Sequence, residues 1–154
     1  ALRLQRAVYS GRLKLDGEEH ESTIMAANNY ADTLVNLKRF QEAKSLLHKS
    51  IPAARRVLGE NDEITLRMRC HHADALCRDS PATLDDLREA VSTFEEIERI
   101  ARRVLGGAHP IVEVIECRLP PSRKLLLSRA ALSAHGVDVE SIREAMAAMT
   151  PGDA

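Results

Sequence analysis

Apolar residues along this chain recur at three- and four-residue intervals, the period of an amphipathic helix. Between residues 21 and 36 the stripe is Ile24, Ala27, Ala31 and Leu34, with Leu37 just beyond. After a break at Lys38-Arg39, residues 40–58 carry Phe40, Ala43, Leu46, Leu47, Ile51, Ala54, Val57 and Leu58. Pro52 lies inside this second stretch, removes an amide and crowds the carbonyl of His48, so a kink is predicted there. Upstream, residues 2–15 read as a helix with Leu4, Ala7, Val8, Leu13 and Leu15 as candidate buried positions. Gly11 weakens that helix by roughly 1 kcal/mol relative to alanine. Two further helices are predicted over 62–77 and 84–105. Asp79-Ser80-Pro81-Ala82 separates them, and Thr83 with Asp86 forms a capping-box signal.

The punctuation between these stretches repeats. Leu15-Asp16-Gly17, Val57-Leu58-Gly59 and Val104-Leu105-Gly106 each close a helix, and the glycines are 42 and then 47 residues apart. Recurrence at this interval is the mark of a helical repeat array. The chain is therefore predicted to be all-α: antiparallel helix pairs stacked as an α-solenoid. A third unit opens at His109-Pro110 and carries Ile111, Val114, Ile115 and Leu119 before Pro120-Pro121, which is expected to stop it. Beyond lie a helical stretch at 124–134, a break at His135-Gly136 and a short helix opened by Asp138. That helix shows Val139, Ile142, Met146 and Met149 on one face, and the tail 150–154 is expected to fray. Repeats over 1–120 and a capping segment over 121–154 follow, because the last layer of an array must hide its open side.

Composition narrows the possibilities. Aromatic residues make up 3% of the 154 and tryptophan is absent, so the core must come from Leu, Ile, Val and Ala. The net charge is −1 with 29% charged residues, lacking the one-sided basic excess of a nucleic-acid-binding module. No apolar run approaches a membrane span, so no direct insertion is expected. Cys70, Cys77 and Cys117 are an odd set with no signal peptide in view. They predict a reducing intracellular compartment, the cytoplasm first. An organelle stays open, because Ala1 falls in mid-helix and suggests a fragment beginning with a half repeat.

Several of these residues carry a family resemblance. Ala26-Ala27-Asn28-Asn29-Tyr30-Ala31 lies in the first helix of the best unit and Arg39-Phe40-Gln41-Glu42-Ala43 opens its second. Arg55-Arg56-Val57-Leu58-Gly59 closes that unit, and His109-Pro110 starts the third. Over residues 4–119 the chain resembles tetratricopeptide repeats, in the long variety of about 42 residues found in kinesin light chains. The second unit keeps Ala73, Ala90, Ala101 and Leu105-Gly106 but has Cys70-His71 in place of the asparagine pair. The third has Cys117-Arg118 there and Pro120 where a small alanine belongs. Small residues suit positions where two helices cross closely, and Tyr30, Leu34, Phe40 and Leu47 suit the space between layers. The resemblance implies a concave surface lined by the first helices, and that this surface or the outer face holds a peptide or another subunit.

Helical geometry then places Met25, Asn28, Asp32 and Asn36, with Asn29 beside them, on the groove side. A shift of one repeat adds Arg67, Cys70, Asp74 and Arg78. A carboxamide there can donate to and accept from peptide backbone at once. Cys70-His71-His72-Ala73-Asp74 with Cys77 raises a metal reading. However, Cys70 and Cys77 are about 10 Å apart along a helix rising 1.5 Å per residue. Zinc needs bonds of roughly 2.0–2.3 Å, so no metal and no cofactor are predicted. No nucleophile elbow, phosphate loop or zinc-protease motif is present, and no catalytic residue is assigned. The reading is a non-catalytic protein–protein interaction scaffold with a protein or peptide partner. The alternative is a structural subunit embedded permanently in a larger multiprotein complex.

Overall fold

A computed structural model of the chain describes residues 1–136 and 139–149. Its helices are α1 (Leu2–Asp16), α2 (Glu21–Asn36), α3 (Phe40–Val57), α4 (Glu63–Arg78), α5 (Leu84–Val104), α6 (Pro110–Ala134) and α7 (Val139–Ala148). There are no strands among the described residues, and each helix from α1 to α5 packs on the next. In addition α2 lies against α4, and α4 against α6. The first helix of each pair thus forms one layer and α3 and α5 the other, which is an α-solenoid. Among the described residues no helix is long and apolar enough to cross a membrane.

The turns between pairs share one device. Gly17, Gly59 and Gly106 adopt φ of 83°, 99° and 93°, the left-handed region that costs glycine least. Three residues after each glycine a side chain caps the next helix: His20 Nδ1 accepts from Ser22 N, Asp62 Oδ1 from Ile64 N and His109 Nδ1 from Ile111 N. Thr83 and Asp86 form the predicted reciprocal capping box. The turn from α2 to α3 instead places Lys38 at φ 59°.

Two apolar clusters hold the layers together. One joins α2, α3 and α4 through Ile24, Leu34, Leu47 and Met68; the other joins α4, α5 and α6 through Leu66, Phe94, Ile97 and Ile115. Ala31, Ala43, Ala73 and Ala90 are fully buried, as close crossings require. Polar contacts link the same elements: Lys44 Nζ meets Asp79 Oδ2 at 2.6 Å, and Arg69, itself buried, pairs with Glu96.

Two expectations are corrected. In α1, Leu4 (65%), Ala7, Val8 (43%) and Leu15 (80%) are exposed, Leu13 is half-buried, and Leu2 and Tyr9 pack against the core. Periodicity identified a face of α1, but α2 lies against the opposite one, with the Tyr9 and Tyr30 rings 6.0 Å apart. The second correction is α6, which does not stop at Pro120-Pro121 but runs from Pro110 to Ala134. Both prolines are exposed, as are Glu116 and Cys117 four residues before them, so water can serve the carbonyls that lose an amide partner. Leu119 and Ser122 on the other side are buried, and Ser122 Oγ donates to the carbonyl of Arg118 at 2.7 Å. Arg123 pairs with Glu95 at 2.7 Å, and Arg129 Nη1 donates to the carbonyl of Ala82 at 2.7 Å, so the second half of α6 is held against α5 and its approach. Smaller differences are Leu37 and Val57, both exposed. Asp138, the expected cap of the last helix, lies outside the described residues, as does the tail 150–154.

Candidate functional site

The first helices α2, α4 and α6 present equivalent residues in rows. The interval of 42 from α2 to α4 pairs Met25 with Arg67, Asn28 with Cys70, Asn29 with His71, Asp32 with Asp74 and Asn36 with Arg78. The interval of 47 carries the rows into α6 as Val114, Cys117, Arg118, Pro121 and Leu125. All nine residues proposed from sequence therefore lie on this layer. The sequence alone excludes the α6 members, because the third unit has Cys117-Arg118 in place of the asparagine pair and Pro120 in place of the small alanine. Adding the second interval to Arg67, His71, Asp74 and Arg78 would have found them.

Along α2 the face is open and polar: Met25, Asn29, Asp32 and Asn36 are exposed. Asn28 is 7% exposed, with its Nδ2 3.4 Å from Asn29 Oδ1 and its Oδ1 unpaired. It belongs to the floor of the face rather than its rim.

Along α4 the face is built around Asp74. Its side chain is 9% exposed and accepts from Arg78 Nη1 at 2.8 Å through Oδ2. Arg118 of α6 brings Nε to 3.2 Å from Oδ1, but that oxygen accepts no hydrogen bond, so the contact is an off-axis ion pair. Arg78 also lies 5.2 Å from the centre of the Phe40 ring, a cation–π distance. At the other end of α4, Arg67 donates to Glu63 Oε1 at 2.7 Å, which His109 Nε2 approaches at 3.5 Å. The hydrogen bond from Arg67 is the main reason the Glu63 carboxyl is held below the usual carboxylate range.

Burial sets the state of the other titratable groups here. It pushes the Cys70 thiol up to about 12, with repulsion from Asp74 adding to the effect, and it also raises Cys77. It pushes His71 down against the pull of Asp32, whose Oδ1 is 4.0 Å away, and of Asp74. Both thiols are therefore protonated and His71 neutral near pH 7. Among the described residues no three His, Cys, Asp or Glu side chains gather as a metal would require.

Two cavities open on this face between α4 and α6, and Asp74 lines both. One, of about 90 Å³, is walled by Pro110, Ile111 and Val114; the other, of about 200 Å³, by Pro121, Ser122 and Leu125. A third cavity of about 270 Å³ lies elsewhere, lined by Pro52, Arg69, His72 and Glu89. The α4–α6 face thus combines apolar hollows with a carboxylate that has an unused acceptor, which suits recognition by shape and hydrogen bonding.

Residues 23–63, which span α2, α3 and the turn into α4, match the family model of the tetratricopeptide repeat. No curated protein matches the chain. The matched residues coincide with the unit in which the small crossing residues Ala31 and Ala43, the glycine turn and the Asp62 cap are all in place. The same turn and cap recur on either side of it, at Gly17-His20 and Gly106-His109. Residues 23–63 are thus a tetratricopeptide repeat, stacked within an all-α array.

Proposed function

We propose that the chain is a non-catalytic interaction scaffold that binds a segment of a partner protein in the groove formed by α2, α4 and α6, and that its units are of the kinesin light chain-like type. Tetratricopeptide repeats serve protein–protein interaction in general, and the observation that carries the specific reading is the Asp74 carboxylate. It is buried at the centre of the face, lines two hollows and keeps one oxygen without a hydrogen bond. A buried acceptor beside two hollows is placed to take a hydrogen bond from a ligand that enters them. Met25, Asn29, Asp32 and Asn36 extend the same face across α2.

Peptides selected from a random display library on the folded chain test this. Their binding should fall at least tenfold in Asp32→Arg/Asn36→Arg and stay unchanged in Glu89→Arg, beside the cavity away from the groove. Equal binding by all three proteins would remove the groove assignment. The open apolar residues of α1 and α7 favour a second reading, a subunit built permanently into a larger assembly. Leu4 and Leu15, like Met146 and Met149, are more than half exposed.

A further inference from the structure

The two hollows on either side of Asp74 are not equivalent to the open groove along α2, and their arrangement specifies a ligand. Val114 lines the smaller and Pro121 the larger. Seven helical residues separate these two, about 10 Å along the α6 axis. Between the hollows sits Asp74 Oδ1, buried, negatively charged and without a hydrogen-bond donor. A polyproline-II segment rises about 3.1 Å per residue with three residues per turn, so residues i and i+3 share a face about 9 Å apart. Its amides make no internal hydrogen bonds and are free to donate.

We propose that the α4–α6 half of the groove binds an extended, polyproline-II-like segment of a partner. Apolar side chains at i and i+3 enter the two hollows, and the amide of residue i+1 or i+2 donates to Asp74 Oδ1. This rests on the groove reading and narrows it. The match is one of hydrogen bonding as well as shape: a carboxylate oxygen that accepts no hydrogen bond meets an N–H that has no acceptor within its own chain. The smaller hollow, beside Ile111 and Val114, takes a short aliphatic side chain; the larger, beside Pro121 and Leu125, takes a bulkier one.

Arg118 acts as a cover that must move. Its side chain is 43% exposed and holds Oδ1 only by the off-axis contact, so it can swing into solvent and leave that oxygen to the incoming amide. Arg78 keeps the other oxygen through an aligned hydrogen bond at 2.8 Å and fixes the carboxylate in place. Arg118 is thus a gating residue and Arg78 a positioning residue.

The probe is a fluorescein-labelled peptide with Val at i, Ala at i+1 and i+2, and Leu at i+3, flanked by Gly-Ser, titrated with the full chain. Two variants place proline at i+1 or i+2, which keeps the extended conformation but removes that one N–H. The expected result is saturable binding of the parent peptide and at least a tenfold loss with one proline variant. The other variant should bind within twofold of the parent. Arg118→Ala should bind the parent as tightly or more tightly, and Asp74→Ala should erase the difference between the two prolines. Binding on this face, seen by amide shifts in α4 and α6, with both prolines tolerated would overturn the inference and leave the groove reading standing. Absence of saturable binding would overturn the inference as well, while the library peptides test the groove reading separately. A proline effect that persists in Asp74→Ala would assign the acceptor to another residue and equally sink the proposal.

Discussion

Helices α2 and α4 occupy the same place in successive repeats, yet their outer faces differ in kind. Asp32 and Asp74 are register equivalents, but the first side chain is 53% exposed and the second 9%. The difference is what the neighbours present. On α4, residues of α6 close over the carboxylate, and Arg118 reaches Asp74 from across the layer. On α2 the corresponding neighbour is α4, whose His71, the register equivalent of Arg118, stays 4.0 Å from Asp32, and Asn36 stands where α4 has Arg78. One repeat position thus yields a hydrated surface acid in one layer and a buried, half-satisfied acceptor in the next. Identity at a repeat position sets the direction of a side chain, and the adjoining layer sets its chemistry.

The contrast between covered and open layers can be broken most forcefully in the core. Phe94 is fully buried among Leu66, Ile97 and Ile115. Phe94→Ala should cost about 3–5 kcal/mol and lower the thermal midpoint by roughly 6–20 °C. Leu4→Ala, on the open face of α1, should stay within about 0.5 kcal/mol of the parent. Calorimetry on both variants decides whether α1's apolar stripe is covered in the isolated chain.

The two aspartates supply a smaller and sharper test. Asp74→Ala leaves Arg78 and Arg118 without their acceptor. Because both arginines are partly exposed, the loss is reduced by solvent screening to about 1–2 kcal/mol. Asp32→Ala should change stability by less than about 0.5 kcal/mol. Equal costs in urea melts would deny that α6 makes the two positions different.

Acid should distinguish the layers as well. His71 and His72 are both pushed down from 6.5 by burial, so the folded chain binds their protons more weakly than the unfolded chain does. Stability is therefore highest above pH 6.5 and is lost as the pH falls through the interval from 6.5 to the lowered folded values. Urea midpoints at pH 7.5 and 5.5 should show this decline, and His71→Gln/His72→Gln should flatten it. A midpoint that rises towards pH 5.5 would contradict the burial of these rings.

The thiols give the smallest effect, one of rate alone. Cys117 is exposed on α6, whereas Cys70, its register equivalent on α4, is buried with its thiol pushed up to about 12. Alkylation at pH 8 followed by mass mapping should label Cys117 first and Cys70 only on unfolding.

Much of this architecture was legible in the sequence because it depends on local spacing. The Gly59 turn and its cap at Asp62, the alanine positions and the Thr83-Asp86 box each act within a few residues. What sequence could not supply was coverage. The period of α1 marked Leu4, Val8 and Leu15 as one face, but only the packing shows that α2 takes the other. Prolines 120 and 121 were read as a stop because an amide is lost. They are tolerated since the side of the helix that carries them faces water while Leu119 and Ser122 are anchored. The candidate residues on α2 and α4 follow from periodicity, as do Val114 and Arg118 within the predicted third unit, whereas Pro121 and Leu125 depend on α6 continuing past those prolines.

The central claim, that α2, α4 and α6 form the partner-binding surface, is tested most directly by mapping backbone amide shifts while titrating the labelled chain with a library-selected peptide. The account predicts that the largest shifts fall on residues 25–36, 67–78 and 114–125, centred on Asp74 and Arg118. Shifts confined to α3 and α5, or to the exposed stripe of α1, would contradict it.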